Sequence, residues 1–114
     1  METQRQKKIA RLLQKDLGEI VSEIVRNRIA NVMVTVTKVI PTADLSMAKV
    51  YMSIFTVLDK QQTLKEITKF EKEIRHQLGN RIRHQLRVVP ELIFFEDDSL
   101  DYIEKIDALL SNKP

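Results

Sequence analysis

The sequence predicts an α+β protein with one modest core. Three observations carry this prediction: a long amino-terminal segment with helical spacing of apolar residues, two segments of strand-like alternation, and a second helical segment leading into a third strand. With 114 residues and 43% hydrophobic content, the chain suits one domain, and we expect residues 1–114 to form it. The predicted order is helix, strand, strand, helix, break, helix, strand and a carboxy-terminal helix.

The first predicted helix runs from Gln4 to about Arg26. Its apolar residues recur at steps of one, three and four, which places them on one face. They are Ile9, Leu12, Leu13, Leu17, Ile20, Val21 and Ile24. Gly18 costs a helix up to about 1 kcal/mol relative to alanine, so we expect it to serve close packing against a neighbouring element.

A β-hairpin follows this helix. Apolar and polar residues alternate from Val32 to Ile40 and again from Met47 to Phe55, and the turn-forming segment 41–46 separates the two runs. Lys49 and Tyr51 fall on the face opposite the predicted core. They can be a cationic and stacking surface for nucleic acid, or the ordinary residues of an exposed strand face.

The second helical segment is predicted to begin at Leu64, with Thr63 as its cap, and to break at Gly79–Asn80. Its apolar residues recur every four positions, which overshoots the helical period, so the apolar stripe rotates by about 160° before Leu86. Glycine and asparagine are suited to end one helix and cap the next, whereas the alternative is one long helix with a weak glycine. Glu71 falls among the apolar positions and needs a cationic partner.

The remainder of the chain is predicted to form a strand and a helix. The strand covers residues 87–95, with Pro90 at its entry or on an edge strand because proline lacks an amide donor. The terminal helix covers residues 100–110, and Asp98 or Ser99 can cap it.

The charge distribution favours a polyanionic partner. Residues 1–90 carry 17 basic and 9 acidic side chains, while residues 91–114 carry 2 and 7. A basic body attracts polyanions, although an ordinary solvated surface is the alternative. The chain has no cysteine, and no apolar run approaches the roughly 18 residues that a bilayer-spanning helix needs. We therefore expect a cytoplasmic monomer without a membrane partner.

The candidate polyanion-binding residues come from two basic segments. On a continuous second helix, Lys65, Lys69, Lys72, Arg83 and Arg87 lie opposite the apolar stripe and form one ridge. Basic residues in the first turns of the first helix oppose the helix dipole, which a polyanion would explain, unless that end is simply frayed and solvated. The full candidate set is Arg5, Lys7, Lys8, Arg11, Lys72, Arg75, Arg81, Arg83 and Arg87. Arg75 borders the apolar face, where it can instead neutralise a carboxylate.

The sequence predicts no catalytic, metal or cofactor site. His76 and His84 lack a further ligand at a suitable spacing, and the acids at 96–101 are explained by helix capping. Two glycines in the chain leave no phosphate-binding loop, so we expect neither an enzyme nor a small-molecule substrate.

Four segments resemble the ribosome-binding factor A family. They are Asp44-Leu-Ser-Met-Ala-Lys-Val-Tyr51, Ile74-Arg75 with Leu78-Gly79, Arg87-Val-Val-Pro-Glu-Leu-Ile-Phe-Phe95, and Asp97-Asp-Ser-Leu100. The resemblance implies a KH-like domain of the second topological type that binds 16S rRNA of the free small (30S) ribosomal subunit. It also implies a non-enzymatic role in late maturation and rRNA processing. The family commonly kinks its second helix at Ala-x-Gly, where this chain has Phe70, Glu71 and Lys72.

A protein-interaction module whose basic face meets an acidic protein is the alternative function. Phosphate-dominated binding weakens steeply with salt, whereas a protein interface depends on buried apolar anchors.

Overall fold

Three helices pack on one face of a three-stranded sheet in the computed structural model, which describes residues 4–97. The elements are α1 Gln4–Arg28, β1 Val32–Pro41, β2 Met47–Thr56, α2 Lys60–Thr68, α3 Glu71–Ile82 and β3 Glu91–Glu96. The α+β prediction is confirmed, as are the first helix and the hairpin. The predicted terminal helix and its caps lie outside the described residues.

Two residues with positive φ shape the ends of the hairpin. Asn31 has φ 61° between α1 and β1, and Leu45 has φ 61° in the loop between β1 and β2. In that loop, the Asp44 carboxylate accepts hydrogen bonds from the Ser46 amide at 3.1 Å and from the Ser46 and Thr42 hydroxyls, each at 2.8 Å. These bonds, led by the one from the Ser46 amide, hold the pKa of Asp44 below its usual value.

The sheet is mixed, with strand order β1-β2-β3. β1 pairs with β2 antiparallel, with an irregularity between Val36 and Lys38, and β3 pairs with β2 parallel. β3 is thus an edge strand and Pro90 lies at its entry, as predicted. The strand begins at Glu91, four residues later than predicted, because the chain first passes close to α3, where Arg75 binds the carbonyl oxygens of Val89 and Pro90.

Alternate residues of the three strands form the sheet side of the core. Each strand buries every second side chain against the helices, apart from the offset at the β1 irregularity. They are Val34, Val36, Val39, Ala48, Val50, Met52, Ile54, Leu92 and Phe94. Buried residues of all three helices belong to the same cluster, so the described helices cover only this face.

The second helix begins earlier than the sequence predicts. Asp59, not Thr63, is the cap of α2, since its side chain accepts a hydrogen bond from the Gln61 amide at 2.9 Å. The Thr63 hydroxyl instead donates to the Asp59 carbonyl oxygen at 3.0 Å, and Thr63 is buried. A threonine one turn into a helix can satisfy its hydroxyl in this way while packing its methyl group.

The predicted break at Gly79–Asn80 is wrong. α2 ends at Thr68 and α3 starts at Glu71, with Phe70 at φ −93° and ψ 11° between them. Because the helix breaks there, α2 and α3 can each turn their own apolar side toward the sheet. Ile67 of α2 is buried, and so are Ile74, Leu78 and Ile82 of α3, so no second break is needed at Gly79. The break coincides with the position of the family's Ala-x-Gly kink, although this chain has no glycine there.

The short helix predicted after Gly79 is also wrong. α3 continues through Gly79 to Ile82, and the amides of Gln85 and Leu86 then both bond to the Ile82 carbonyl oxygen, which makes a turn. Gly79 has no positive φ. A β-carbon placed on it would lie 3.0 Å from Val89 Cγ2, so this glycine permits the chain before β3 to approach the helix. The close packing expected at Gly18 is absent, since no described atom lies within 4 Å of a β-carbon there.

Candidate nucleic-acid interface

Helices α1 and α3 run antiparallel and are joined by ion pairs near both ends of α3. Arg81 Nη1 lies 2.8 Å from Glu19 Oε2 and 3.4 Å from Asp16 Oδ1, while Arg28 Nη2 lies 3.4 Å from Glu73 Oε1. Later residues of α1 therefore meet earlier residues of α3. This arrangement brings the first turns of α1 to the same end of the molecule as the segment that follows Ile82.

Six of the candidate residues lie in the two segments that point to this end, the first turns of α1 and the turn after α3, and we call these six the terminal basic cluster. They are Arg5, Lys7, Lys8, Arg11, Arg83 and Arg87. All six side chains are exposed, and none of these side chains forms an ion pair or hydrogen bond with another residue within the described range 4–97. Exposed guanidinium and ammonium groups without acidic partners are suited to binding phosphates, and the guanidinium can do so with two hydrogen bonds.

The single ridge predicted on a continuous helix is not formed, because the chain breaks at Phe70. Lys65 and Lys69 belong to α2, and Lys72 lies in the first turn of α3. Arg83 follows the other end of α3, about 16 Å from Lys72 along the helix axis at 1.5 Å per residue. Lys72 is thus exposed at the α2–α3 junction, separate from the terminal basic cluster.

Arg75 holds the entry to β3. Its Nε donates to the Pro90 carbonyl oxygen at 3.1 Å and its Nη2 to the Val89 carbonyl oxygen at 3.0 Å. Nε also lies 3.8 Å from Glu71 Oε2, and that oxygen accepts the Leu92 amide at 3.2 Å. Glu71 therefore has the partner that its position among apolar residues required. Its partners give Arg75 a structural role within the domain.

Arg81 is occupied by the two acids of α1. The hydrogen bond to Glu19, followed by that to Asp16, raises the pKa of Arg81, and the same contact lowers the pKa of Glu19. Only part of its guanidinium therefore remains available to a phosphate.

Arg28 is a basic residue at the α2–α3 junction that sequence reasoning missed. Besides its contact with Glu73, its guanidinium carbon lies 5.6 Å from the centre of the Phe70 ring. Cations at this distance from an aromatic face are attracted to it. No local sequence pattern predicts this contact, because residues 28 and 70 come together only when α1 packs beside the α2–α3 junction.

Among the described residues, no three histidine or acidic side chains are grouped closely enough to hold a metal ion. A cleft of about 590 Å³ beside α1 and β1 has a mixed lining, with cations Lys15, Arg26 and Arg81 against acids Glu19 and Glu23. Such a lining gives no preference for a positively or a negatively charged ligand. Within the described residues, no helix has the length and apolar character needed to span a membrane.

The element order and the mixed sheet define the class of protein. Helix, strand, strand, helix, helix and strand, with the third strand parallel to the second, make a KH-like α+β fold of the second topological type. Solved structures share this fold. The crystal structure of ribosome-binding factor A from Thermus thermophilus matches with a TM-score of 0.66 at 22% identity, over 80% of this chain and 94% of that one.

Sequence comparison then identifies the family. The sequence profile of ribosome-binding factor A matches residues 5–110. Ribosome-binding factor A of Flavobacterium johnsoniae is 51% identical over 99% of this chain and 88% of that protein. The protein of the same name from Cytophaga hutchinsonii is 45% identical over 97% and 84%. The chain belongs to the ribosome-binding factor A family.

Proposed function

We propose that residues 1–114 form a single RNA-binding domain that binds 16S rRNA of the free 30S subunit and assists its late maturation and processing. The protein acts as a monomer, by binding and not by catalysis, and its location is the cytoplasm, where its proposed partner assembles. The observation that carries the proposal is the terminal basic cluster, where six exposed cations have no partner within residues 4–97.

Family membership supports a ribosomal partner. A Thermus thermophilus ribosome-binding factor A model fitted into the map of a 30S complex shares the fold, with a TM-score of 0.60 at 22% identity, over 76% of this chain and 93% of that one. That relative is in contact with a 30S subunit, which makes small-subunit RNA the polyanion to test first. Phosphate contacts from arginines and lysines would position the protein, and the exposed guanidinium groups can also stack on unpaired bases.

The test replaces Arg83 and Arg87 by glutamate. We expect weaker binding to immature small subunits, and a dependence of log affinity on log salt that is flatter by about 0.7 to 0.9 for each lost phosphate contact. The matched control replaces Arg26 and Lys65 by glutamate, because both are exposed outside the terminal basic cluster and the change in net charge is the same. Equal binding by R83E/R87E and the parent at every salt concentration would show that the cluster is only a solvated surface.

If both double variants lose affinity equally, the attraction depends on overall charge and not on this cluster. A fold check by circular dichroism accompanies each variant. Binding that survives high salt in the parent, and depends on apolar side chains, would instead favour an acidic protein as the partner.

A further inference from the structure

The face of the sheet that points away from the helices is rich in apolar side chains. Strand register places seven of them on this open face, together with the polar residues Thr35, Lys38, Lys49, Ser53 and Glu91. The apolar residues are Met33, Ile40, Met47, Tyr51, Phe55, Ile93 and Phe95. Met33 is 73% and Phe55 64% exposed, and the loop after β2 adds Val57 at 90%. The Thr35–Ser53 pair divides these residues into two groups, Met33 with Phe55 and Tyr51 with Phe95 and their neighbours. Exposed apolar side chains grouped in this way mark a surface that is suited to cover by another element or molecule.

The last described residues lead the chain onto this face. β3 buries Leu92 and Phe94, so alternation puts Asp97 on the opposite side with Phe95. The Asp97 amide donates to the Met52 carbonyl oxygen at 2.7 Å, and its carboxylate accepts the Thr37 hydroxyl at 2.6 Å. Thr37 belongs to β1 on the far side of β2, so the Asp97 side chain reaches across the middle strand of the open face.

We propose that the open face is the docking site of the chain's own last seventeen residues, 98–114. This segment contains five large aliphatic residues at steps of three and one, Leu100, Ile103, Ile106, Leu109 and Leu110. In a helix, four of them, Ile103, Ile106, Leu109 and Leu110, would fall within about 120° of one another. The segment has four acids and two lysines, a net charge of −2, and the open face has two exposed lysines, Lys38 and Lys49, beside one exposed acid, Glu91.

The distances permit this docking. Phe55 lies three residues beyond Met52 on β2, which is about 10 Å at strand spacing. A helix over residues 98–110 would be about 20 Å long, enough to pass from Asp97 to Phe55. Because the segment is tethered at Asp97, its effective concentration at the face is on the order of millimolar.

The composition of the face favours this occupant over a nucleic acid. The Tyr51 and Phe95 rings already stack on each other, with centroids 5.2 Å apart. Met33, Ile40 and Ile93 offer aliphatic surface, which suits leucine and isoleucine side chains better than it suits bases.

A single tryptophan can report on this docking because the chain has none of its own. We expect the emission of Phe55→Trp in the full chain to shift to the red, and its acrylamide quenching to rise, when the chain is ended after Asp97. The full-length variant that also carries Ile103→Asp and Ile106→Asp should behave like the truncated chain. The matched control is Val88→Trp, 64% exposed between α3 and β3, whose emission should not respond to either change.

A second measurement keeps the full chain intact. The chain has no cysteine, so a spin label on Thr35→Cys sits at one known place on the open face. It should broaden the amide signals of residues 98–114, whereas a label on Lys72→Cys, exposed on α3, should not.

Identical Phe55→Trp emission with and without residues 98–114 in folded protein, or no broadening from Thr35→Cys, would overturn the proposal. Protection of Phe55→Trp that depends on protein concentration would assign the face to a second copy. Protection that appears only on adding small-subunit RNA would assign it to the nucleic acid. Either result also overturns the proposal.

Discussion

Gly79 and Val89 approach so closely that a β-carbon on the glycine would lie 3.0 Å from Val89 Cγ2. The two residues belong to α3 and to the segment that leads into β3. Val89 also packs against the core, so the absence of a side chain on Gly79 lets the segment before β3 lie close to α3.

We expect Gly79→Ala to gain less stability than its helical position suggests. Alanine in place of glycine within a helix is worth about 1 kcal/mol, but the new methyl group would press on Val89. The matched control is Gly18→Ala in α1, where nothing lies within 4 Å of the new group, and we expect it to stabilise by about 0.5–1 kcal/mol. Urea denaturation measures both free energies of unfolding.

A double-mutant cycle separates the two effects at Gly79. In a Val89→Ala background the methyl group of residue 79 has room, so Gly79→Ala should be stabilising there. Equal effects in both backgrounds would mean that Val89 moves aside at no cost.

Replacing Arg75 by methionine should lower the free energy of unfolding by about 1–3 kcal/mol. The two carbonyl oxygens that it binds, those of Val89 and Pro90, would lose charge-assisted hydrogen bonds. Arg83→Met is the control and should change stability by less than about 0.5 kcal/mol, because its side chain is exposed. If Arg75→Met is as stable as the parent, then Arg75 does not fix the entry to β3.

Asn31 should tolerate glycine but not valine. Its φ of 61° is left-handed, a conformation that asparagine accepts and a β-branched residue resists. We expect Asn31→Val to cost about 1–2 kcal/mol and Asn31→Gly to be neutral within a few tenths. Valine at the exposed Asn27, in α1, is the control for the change of side chain alone. A fully stable Asn31→Val would contradict the left-handed turn.

Replacing Asp44 by asparagine should make the stability of the protein fall less steeply as the pH is lowered. The folded-state pKa of Asp44 is below its usual 3.8, so its ionised form stabilises the loop above that pH. This contribution is lost as the pH falls through the lowered pKa. The difference in Tm between the parent and Asp44→Asn should therefore be largest near neutrality and shrink in acid. A difference that is constant with pH would show that the carboxylate charge has no part in the loop.

Local patterns were sufficient for most of the elements. The spacing from Ile9 to Ile24 indicated α1, and the alternation around Val34 and Val50 indicated the hairpin, because each pattern reflects contact with one core. The basic residues of the terminal basic cluster were also visible, since charge is a property of composition. The hydrogen bond from the Leu92 amide to Glu71 was not, because Leu92 belongs to β3 and reaches α3 only in the folded chain, whereas Arg75 lies four residues after Glu71 on the same helix.

By itself, the sequence determined the class of fold, the two amphipathic faces and the family, since periodicity and motifs are local. Only the tertiary structure decided that the helix breaks at Phe70 and not at Gly79. A glycine in a sequence can mark either a turn or a place where two segments pack closely. Val89 beside Gly79 shows that close packing is the role of this glycine. The tertiary structure likewise separated Arg83 and Arg87, which have no acid or carbonyl oxygen as a partner within residues 4–97, from Arg75 and Arg81, which do. An arginine is available to phosphate only where folding leaves its guanidinium without such partners.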